Sequence, residues 1–495
     1  MSIFLKSTRF VLAPFVVLFF MLNNFSVVQA TEIDSTENTL SLKNAIELAL
    51  TNSVSSAIVE NTKLAAYWRY DSYKANMLPE ISFSGTLPSY VQSYSSYQKS
   101  DGTYTFLESS YLEFTGGLKV TQNIPLTGGT ISLQTTLDLL QQVGSDANEF
   151  MSIPIALTLN QPIFGVNTLR WSKRIEPVQF EESQREYDEG MVDVALSTVA
   201  KYFNALLSKS QMEIARENLK NSEELFRVAK GRQQIGDISV RDLSQLELQA
   251  LQAKATLTSA ESSFRAQMFQ LRAFLALSEE EQLAIETPLE VPSGKLSYQS
   301  VLDYAMENSS FAKSVIRRSL EAEYEVATAK GNRRSINLYA TFGYTGVGDK
   351  IKSSYTNMVT NQVVSVGLSV PILDWGKRKA DVMTAESNRN LVESQITEDK
   401  MSFKQEIFLL VENFNNQAAQ FEIASLAEKI AAKNYSTTFQ TFLMGDVDIL
   451  TLNDARERRD AASQKFIEEM YMYWNYYYQV IWFTDKTGNN TFFNN

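Results

Sequence analysis

The chain has 495 residues, with 57 acidic side chains against 45 basic ones, a formal net charge of −12, and neither cysteine nor histidine. That composition excludes disulfide frameworks, thiol catalysis, the usual zinc sites, lipid attachment through cysteine and every histidine-based catalytic triad. No basic tract occurs, so nucleic acid is not an expected partner.

Residues 1–30 read as a secretory signal peptide. Lys6 and Arg9 make a positive start, "FVLAPFVVLFFML" is the apolar run, and "VQA" at 28–30 is a small-x-small cleavage site. No later apolar run reaches the roughly 20 residues that a spanning helix needs. A membrane role therefore falls to β-strands.

A helix is expected over 42–77, then strands over about 80–163. In "SIPIALTLNQPI", Ile153, Ile155, Leu157 and Leu159 face one way and Pro154, Ala156, Thr158 and Asn160 the other. Upstream, residues 111–140 read as a hairpin of two alternating strands turned by "PLTGG". A long helix over 167–234 follows, about 100 Å at 1.5 Å per residue. It stops at Gly236-Asp237, and a helix returns over 238–277. Leu243, Leu246, Ala250, Ala253, Leu257, Ala260 and Phe264 give that return helix a coiled-coil seam.

The series then recurs. A helix is expected over 298–334, strands over about 336–373, a long helix over 376–443, a break at Gly445-Asp446, a return helix over 447–483 and a polar tail over 486–495. The recurrence is a tandem repeat. "LSLKNAIELALTNS" at 40–53 faces "LSYQSVLDYAMENS" at 296–309, an offset of 256. "QPIFG" at 161–165 faces "VPILD" at 370–374, "MEIA" at 212 faces "FEIA" at 421, and the two Gly-Asp pairs face each other, all at an offset of 209. The difference of 47 residues places an insertion in the first repeat, where the 111–140 hairpin lies. The repeats run over 31–295, with four strands, and 296–485, with two.

One apolar and one small or polar face fits both an antiparallel sheet with a wet side and a transmembrane barrel. Tyr90, Tyr94, Tyr97, Tyr104, Tyr111, Tyr339, Tyr344 and Tyr355, clustered near Ser/Gly-rich loops, lean towards a barrel with aromatic girdles. The aromatic run "YMYWNYYYQVIWF" at 471–483 has the periodicity of helix packing. No cofactor and no metal site is indicated, and no carboxylate pair suggests an enzyme. A periplasmic coiled-coil scaffold without conduction is the alternative to a channel.

"VPILDWGKRKADVMTAES" and "LMGDVDILTLNDARERRDAA", with the duplicated helix–strands–helix–Gly–helix unit, resemble the TolC-like outer-membrane efflux protein family over essentially the whole chain after residue 30. The resemblance implies an α+β membrane protein in the cell outer membrane. It would be a homotrimer whose strands close one β-barrel in outer-membrane lipid, continued by an α-helical coiled-coil tunnel across the periplasm. Its partners would be a periplasmic adaptor protein and an inner-membrane RND pump or ABC transporter, in multidrug efflux or type I secretion. Pro162, Gly165, Pro371 and Gly376 fall at the family's strand-to-helix corners. Gly236, Asp237, Gly445 and Asp446 fall at the periplasmic tip turns, where an adaptor docks, glycine ending one helix and aspartate capping the next. Asp454 matches the inner of two pore-closing acidic positions, and Thr451 occupies the other. A polar link in the family joins an aspartate, here Asp242, to a tyrosine and an arginine; Phe442 and Val447 stand at those two places, so that link is absent or rebuilt. Family members give four strands per subunit and this chain gives six, so the extra hairpin is expected to take part in the membrane region.

Overall fold

The structure is a computed structural model that describes residues 39–144, 148–236, 238–278, 283–288, 294–333, 335–369, 373–444 and 446–481. The signal segment 1–30, Asp237, Pro371, Gly445 and the tail 486–495 lie outside the described residues.

The first repeat opens with a two-residue strand β1 (Thr39–Leu40) and two helices, α1 (Leu42–Asn52) and α2 (Val54–Ala75), where the sequence suggested one. The break is Ser53, the serine of the Asn-Ser pair that ends the matched segment in both repeats. It is buried, and its hydroxyl accepts the Ser56 amide at 3.0 Å, capping α2. Ser309 does the same between α5 (Tyr298–Asn308) and α6 (Ser310–Gly331), accepting the Ala312 amide at 3.2 Å. A serine able to cap its own downstream helix thus bends a segment that contains neither glycine nor proline at that point.

Between α2 and the long helix α3 (Thr168–Gln234) come β2 (Glu80–Gln98), β3 (Tyr104–Ile124), β4 (Gly129–Gln142) and β5 (Asn148–Pro162). After α3, α4 (Val240–Phe274) returns, and β6 (Ala284–Ile285) pairs in parallel with β1. The second repeat adds α5, α6, β7 (Ser335–Gly348), β8 (Met358–Ser369), a 68-residue α8 (Lys377–Met444) and α9 (Ile449–Ile481). A short helix not foreseen in the sequence, α7 (Ile351–Thr356), fills the β7–β8 connection.

The six long strands form one antiparallel sheet in the order β2-β3-β4-β5-β7-β8. The hairpin β3–β4 is interior to it. Tyr94, Tyr97 and Tyr104 sit on a two-stranded extension of β2–β3 that continues past the end of β4, rather than at the sheet's common rim. The register puts most apolar side chains on one face, but the bulge between Ser152 and Ile155 turns Ile153 onto the other, so the expected alternation from Ile153 to Leu159 is corrected at its first residue. Ile81, Val120, Leu133, Leu157 and Phe342 are consecutive cross-strand partners and make a row across β2, β3, β4, β5 and β7. The other face carries Ser82, Lys119, Gln134, Thr158 and Thr341, with the Thr158 and Thr341 hydroxyls 3.1 Å apart. Ile81, Phe83, Leu118, Leu133, Ile155, Leu157, Phe342, Val364 and Val366 are exposed on the apolar face, so none of the described residues covers that band. Beyond it, towards the β7–β8 loop, α7 packs over Ser152, Gly346 and Gly348. The Ser152 hydroxyl donates to the Ser354 carbonyl at 2.7 Å, and a Cβ on Gly346 would run into that same carbonyl.

The helices make a sheet-like layer four across. Near the strands the neighbours run α2-α3-α6-α8, and further away α4-α3-α9-α8. The main core lies between α1, α3, α4 and α9, around Ala45, Ala49, Val199, Tyr202, Leu271 and Met470. There the buried Tyr202 hydroxyl stands between the Leu40 and Glu286 carbonyls, pinning the β1–β6 pair onto α3; burial raises its pKa. The aromatic run of α9 packs inward: Met470, Tyr473 and Val480 are buried against α3 and α8.

Candidate functional site: the helical tip and the strand-to-helix corners

The tip is the end of the helical layer remote from the sheet. Helix α3 ends at Gln234 with Ile235 as its C-cap, and Gly236 follows at φ +81°, in the left-handed region where a side chain is costly. Gly236 N–H donates to the Gln233 carbonyl at 3.0 Å. The next helix is capped by Ser239, which accepts the Asp242 amide at 3.1 Å, while the Asp242 carboxylate accepts the Ser239 hydroxyl at 2.7 Å. That bond holds the Asp242 carboxyl below its usual range. Asp242 is therefore engaged in a reciprocal cap within its own helix.

On the second turn, the Asp446 amide donates back to the Thr441 carbonyl at 3.2 Å and closes α8. The expectation that Asp446 caps the following helix is corrected. Asp448 holds that place, accepting the Thr451 amide at 2.8 Å, and the bonds from Thr451 keep its carboxyl low. In both hairpins the cap comes two residues after the aspartate of the Gly-Asp pair, because one more loop residue is needed before the chain regains helical dihedrals.

The two hairpins are held side by side. Arg232, in the last turn of α3, donates to the Leu443 carbonyl at 3.0 Å, where the exposed end of α8 carries negative partial charge. Leu225, Ala229, Leu246, Tyr435, Leu452 and Ala455 form a buried cluster, and Phe442 packs against it. Phe442 thus contributes apolar contact where the family resemblance implied a tyrosine's polar link. Gln249 donates to Asn453 at 3.0 Å across α4 and α9.

One turn further from the tip lies a residue that the sequence reading missed. The Arg459 side chain is only 9% exposed. Its guanidinium donates to Asn218 at 2.9 Å and to Asp460 at 2.6 Å, pairs with Glu217 at 3.0 Å, and lies 4.2 Å from the Tyr435 ring centroid. It ties α9 to α3 and α8 together. A signal was present: Leu452, Ala455 and Arg459 share helical spacing, which places one arginine of "ARERRD" on the apolar stripe.

Asp454 and Thr451 lie on the opposite, exposed side of α9. Asp454 is paired with Arg458 at 2.9 Å, so its charge is partly balanced in its own chain. Asp242, Asp454 and Thr451 are not joined by any hydrogen bond or ion pair among the described contacts.

At the corners, "QPIFGVN" and "LDWGK" solve the same problem differently. Asn167 caps α3, accepting the Arg170 amide at 3.0 Å, and its NH2 donates to the carbonyls of Pro125 (2.9 Å) and Leu126 (3.2 Å) in the β3–β4 turn. Gly165 and Val166 meet Gly331 so closely that a Cβ on Gly331 would strike the Val166 amide. At the second corner, Asp374 accepts the amides of Gly376 (3.0 Å) and Arg378 (3.3 Å), and Trp375 and Gly376 both take positive φ. Near the sheet the layer is braced by Arg317, whose guanidinium bonds the buried Glu182 and the partly exposed Glu321 at 2.9 Å each. Burial raises the pKa of nearby Glu186, helped by the charges of Glu182 and Glu189.

A one-sided apolar sheet continued by two 100 Å-class helices and their return helices, with paired turns at the far end, is the fold of an outer-membrane efflux protein. The chain matches the family model "Outer membrane efflux protein" over residues 46–277 and 316–473, and it belongs to that family. Its fold is similar to that of the Campylobacter jejuni CmeC outer membrane channel, at 16% identity and TM-score 0.62 over 89% of this chain and 85% of that one. It is also similar to the open state of the Neisseria gonorrhoeae MtrE outer membrane channel, at 16% identity and TM-score 0.59 over 92% and 93%, and to the Vibrio cholerae outer membrane protein VceC, at 14% identity and TM-score 0.61 over 89% and 94%. A direct sequence search against curated proteins finds no match. The chain is an outer-membrane exit duct of an efflux system.

Proposed function

We propose that three copies of the chain assemble into a passive conduit. The observation that carries this reading is the sheet: an exposed apolar face, a mostly polar opposite face, and edge strands β2 and β8 that among the described residues are each paired on one side only. Apolar side chains of that area are stable against lipid, and open edges are not tolerated there, so β8 of one copy pairs with β2 of the next until a barrel closes. The polar face then lines water. It carries Glu80, Glu113, Asp138 and Glu149 against Lys119, which favours cations. The four-helix layers continue as a tunnel through the periplasm.

The tip is the gate. Docking of a periplasmic adaptor, coupled to an inner-membrane pump, at the turns around Gly236-Asp237 and Gly445-Asp446 would part the helices. Three copies of Asp454, with Thr451 one turn earlier, would line the constriction. Their Arg458 partners temper the ring's potential, since like charges around an axis otherwise repel. Transport energy comes from the pump; the duct itself does no chemistry.

Photo-crosslinkers placed singly along the long helices test the docking. Adducts to the adaptor concentrate at 232–242 and 441–451 if the reading is correct. Adducts restricted to mid-helix faces far from both turns contradict it.

A further inference from the structure

Resting on that trimeric reading, we infer that all six strands of each copy enter the barrel wall, giving an 18-stranded barrel whose outer exit is wider than the tunnel's gate requires. Three observations converge. First, β3 and β4 are interior strands: β2 reaches β5 only through them, with β2 paired to β3 and β4 to β5 along their lengths. Second, the apolar row passes through them unbroken, from Ile81 through Val120 and Leu133 to Leu157 and Phe342. Leu112, Phe114 and Leu118 on β3 and Ile131, Leu137 and Leu139 on β4 extend the same face, while Lys119, Gln134 and Asp138 stay on the polar one. Third, the hairpin's turn is tied to the corner where β5 passes into α3. It is held by the Asn167 cap at the root of α3, and Gln161 adds a bond to the Thr127 carbonyl at 3.0 Å. Leu126 at that turn is exposed, as are Leu78, Phe164 and Trp375 at the strand–helix junctions.

The widths agree as well. At about 4.8 Å between strands and a tilt of about 40°, six strands occupy about 38 Å of wall and four strands about 25 Å. The four-helix layer below occupies about 32–40 Å at ordinary packing distances. Six strands therefore join the helices without taper. Eighteen strands at that tilt close a barrel about 36 Å across between backbones, against about 24 Å for twelve. The exit imposes no narrow filter, and cargo size is set at the tip.

The absence of native cysteine makes the test clean. Single variants Leu118→Cys, Lys119→Cys, Leu133→Cys and Gln134→Cys probe the hairpin; Phe342→Cys and Thr341→Cys are the matching controls on β7. The full-length protein is reconstituted in liposomes and treated with a charged, water-soluble methanethiosulfonate or a lipid-phase maleimide. The charged reagent should modify positions 119, 134 and 341 at least tenfold faster than 118, 133 and 342, with the maleimide preference reversed. Controls that alternate while all four hairpin positions react equally with the charged reagent would place the hairpin outside the wall and overturn the 18-stranded barrel. Loss of alternation at 341 and 342 too would overturn the lipid-embedded duct itself, and the strand number with it.

Discussion

Replacing Arg459 by alanine should loosen the gate end of the helical layer. Its guanidinium is nearly buried and serves four groups: Asp460 at 2.6 Å, Asn218 at 2.9 Å, Glu217 at 3.0 Å and the face of Tyr435. A charge-assisted bond to a half-buried carboxylate contributes about 1.5–3 kcal/mol and a neutral acceptor about 1 kcal/mol. The Glu217 carboxylate is mostly exposed and adds at most about 1 kcal/mol. The ring contact adds about 1 kcal/mol. These terms overlap, and the whole change should cost about 3–5 kcal/mol, as when one partner of a buried pair is removed. Hydrogen exchange read by mass spectrometry localises the effect. Amides of 452–462 should exchange about 100-fold faster or more, since each 1.4 kcal/mol is tenfold. Arg459→Lys should be intermediate, because an ammonium keeps the charge but not the fork. Wild-type exchange in Arg459→Ala would refute the view that this arginine holds α9 to α3 and α8.

Three further predictions concern other sites. Asn167→Ala should destabilise the detergent-solubilised protein by about 1–3 kcal/mol, from one cap and two partly exposed bonds. Asn167→Asp should be no better despite preserving the cap, because it faces two carbonyls with a negative charge; equal thermal stability of wild type and both variants would contradict this. Glu186 has a folded-state pKa raised by burial and by Glu182 and Glu189, so its ionised form carries a cost at neutral pH that disappears as pH falls through the raised value. Glu186→Gln should therefore raise Tm at pH 7–8, with the gain vanishing at about pH 4 and below; a gain that persists in acid would point to packing instead. Asp454→Ala should leave Arg458 unpaired and weaken both cation selectivity and divalent block, whereas Arg458→Ala should strengthen both; single-channel reversal potentials that respond to neither remove this pair from the constriction.

Much of the architecture is visible in the sequence where periodicity is strong. The alternation of Ile155, Leu157 and Leu159 on β5 and of Val364 and Val366 on β8 survives in the sheet, whereas the bulge between Ser152 and Ile155 turns Ile153 to the other face; the Leu243-to-Phe264 seam lies buried or half-buried along α4. The breaks at Ser53 and Ser309 are less legible, since serine neither stops nor favours a helix until its hydroxyl finds an amide three residues on. Likewise α7 is hidden in a Ser-rich loop because its docking depends on a contact far away in the chain, the Ser152 hydroxyl on β5, as well as on the space left by Gly346 and Gly348 at the end of β7. At the tip, the turns follow from glycine, but the caps do not follow from the nearest aspartate. Ser239 and Asp448 take that task because only they stand immediately before the first helical residue. Arg232 bonds a main-chain carbonyl, an interaction with no side-chain motif to announce it. The pairing of chains and the direction that Asp454 faces depend on other copies, which one sequence read alone encodes only through its open edges and uncovered face.

Recording ion currents from the purified full-length protein in planar bilayers, under a potassium chloride gradient, tests the conduit most directly. Discrete openings with a cation-selective reversal potential are the expected result, given the acidic excess on the sheet's polar face. Silent bilayers, with protein that stays monomeric and dispersed without detergent, would contradict a conducting duct.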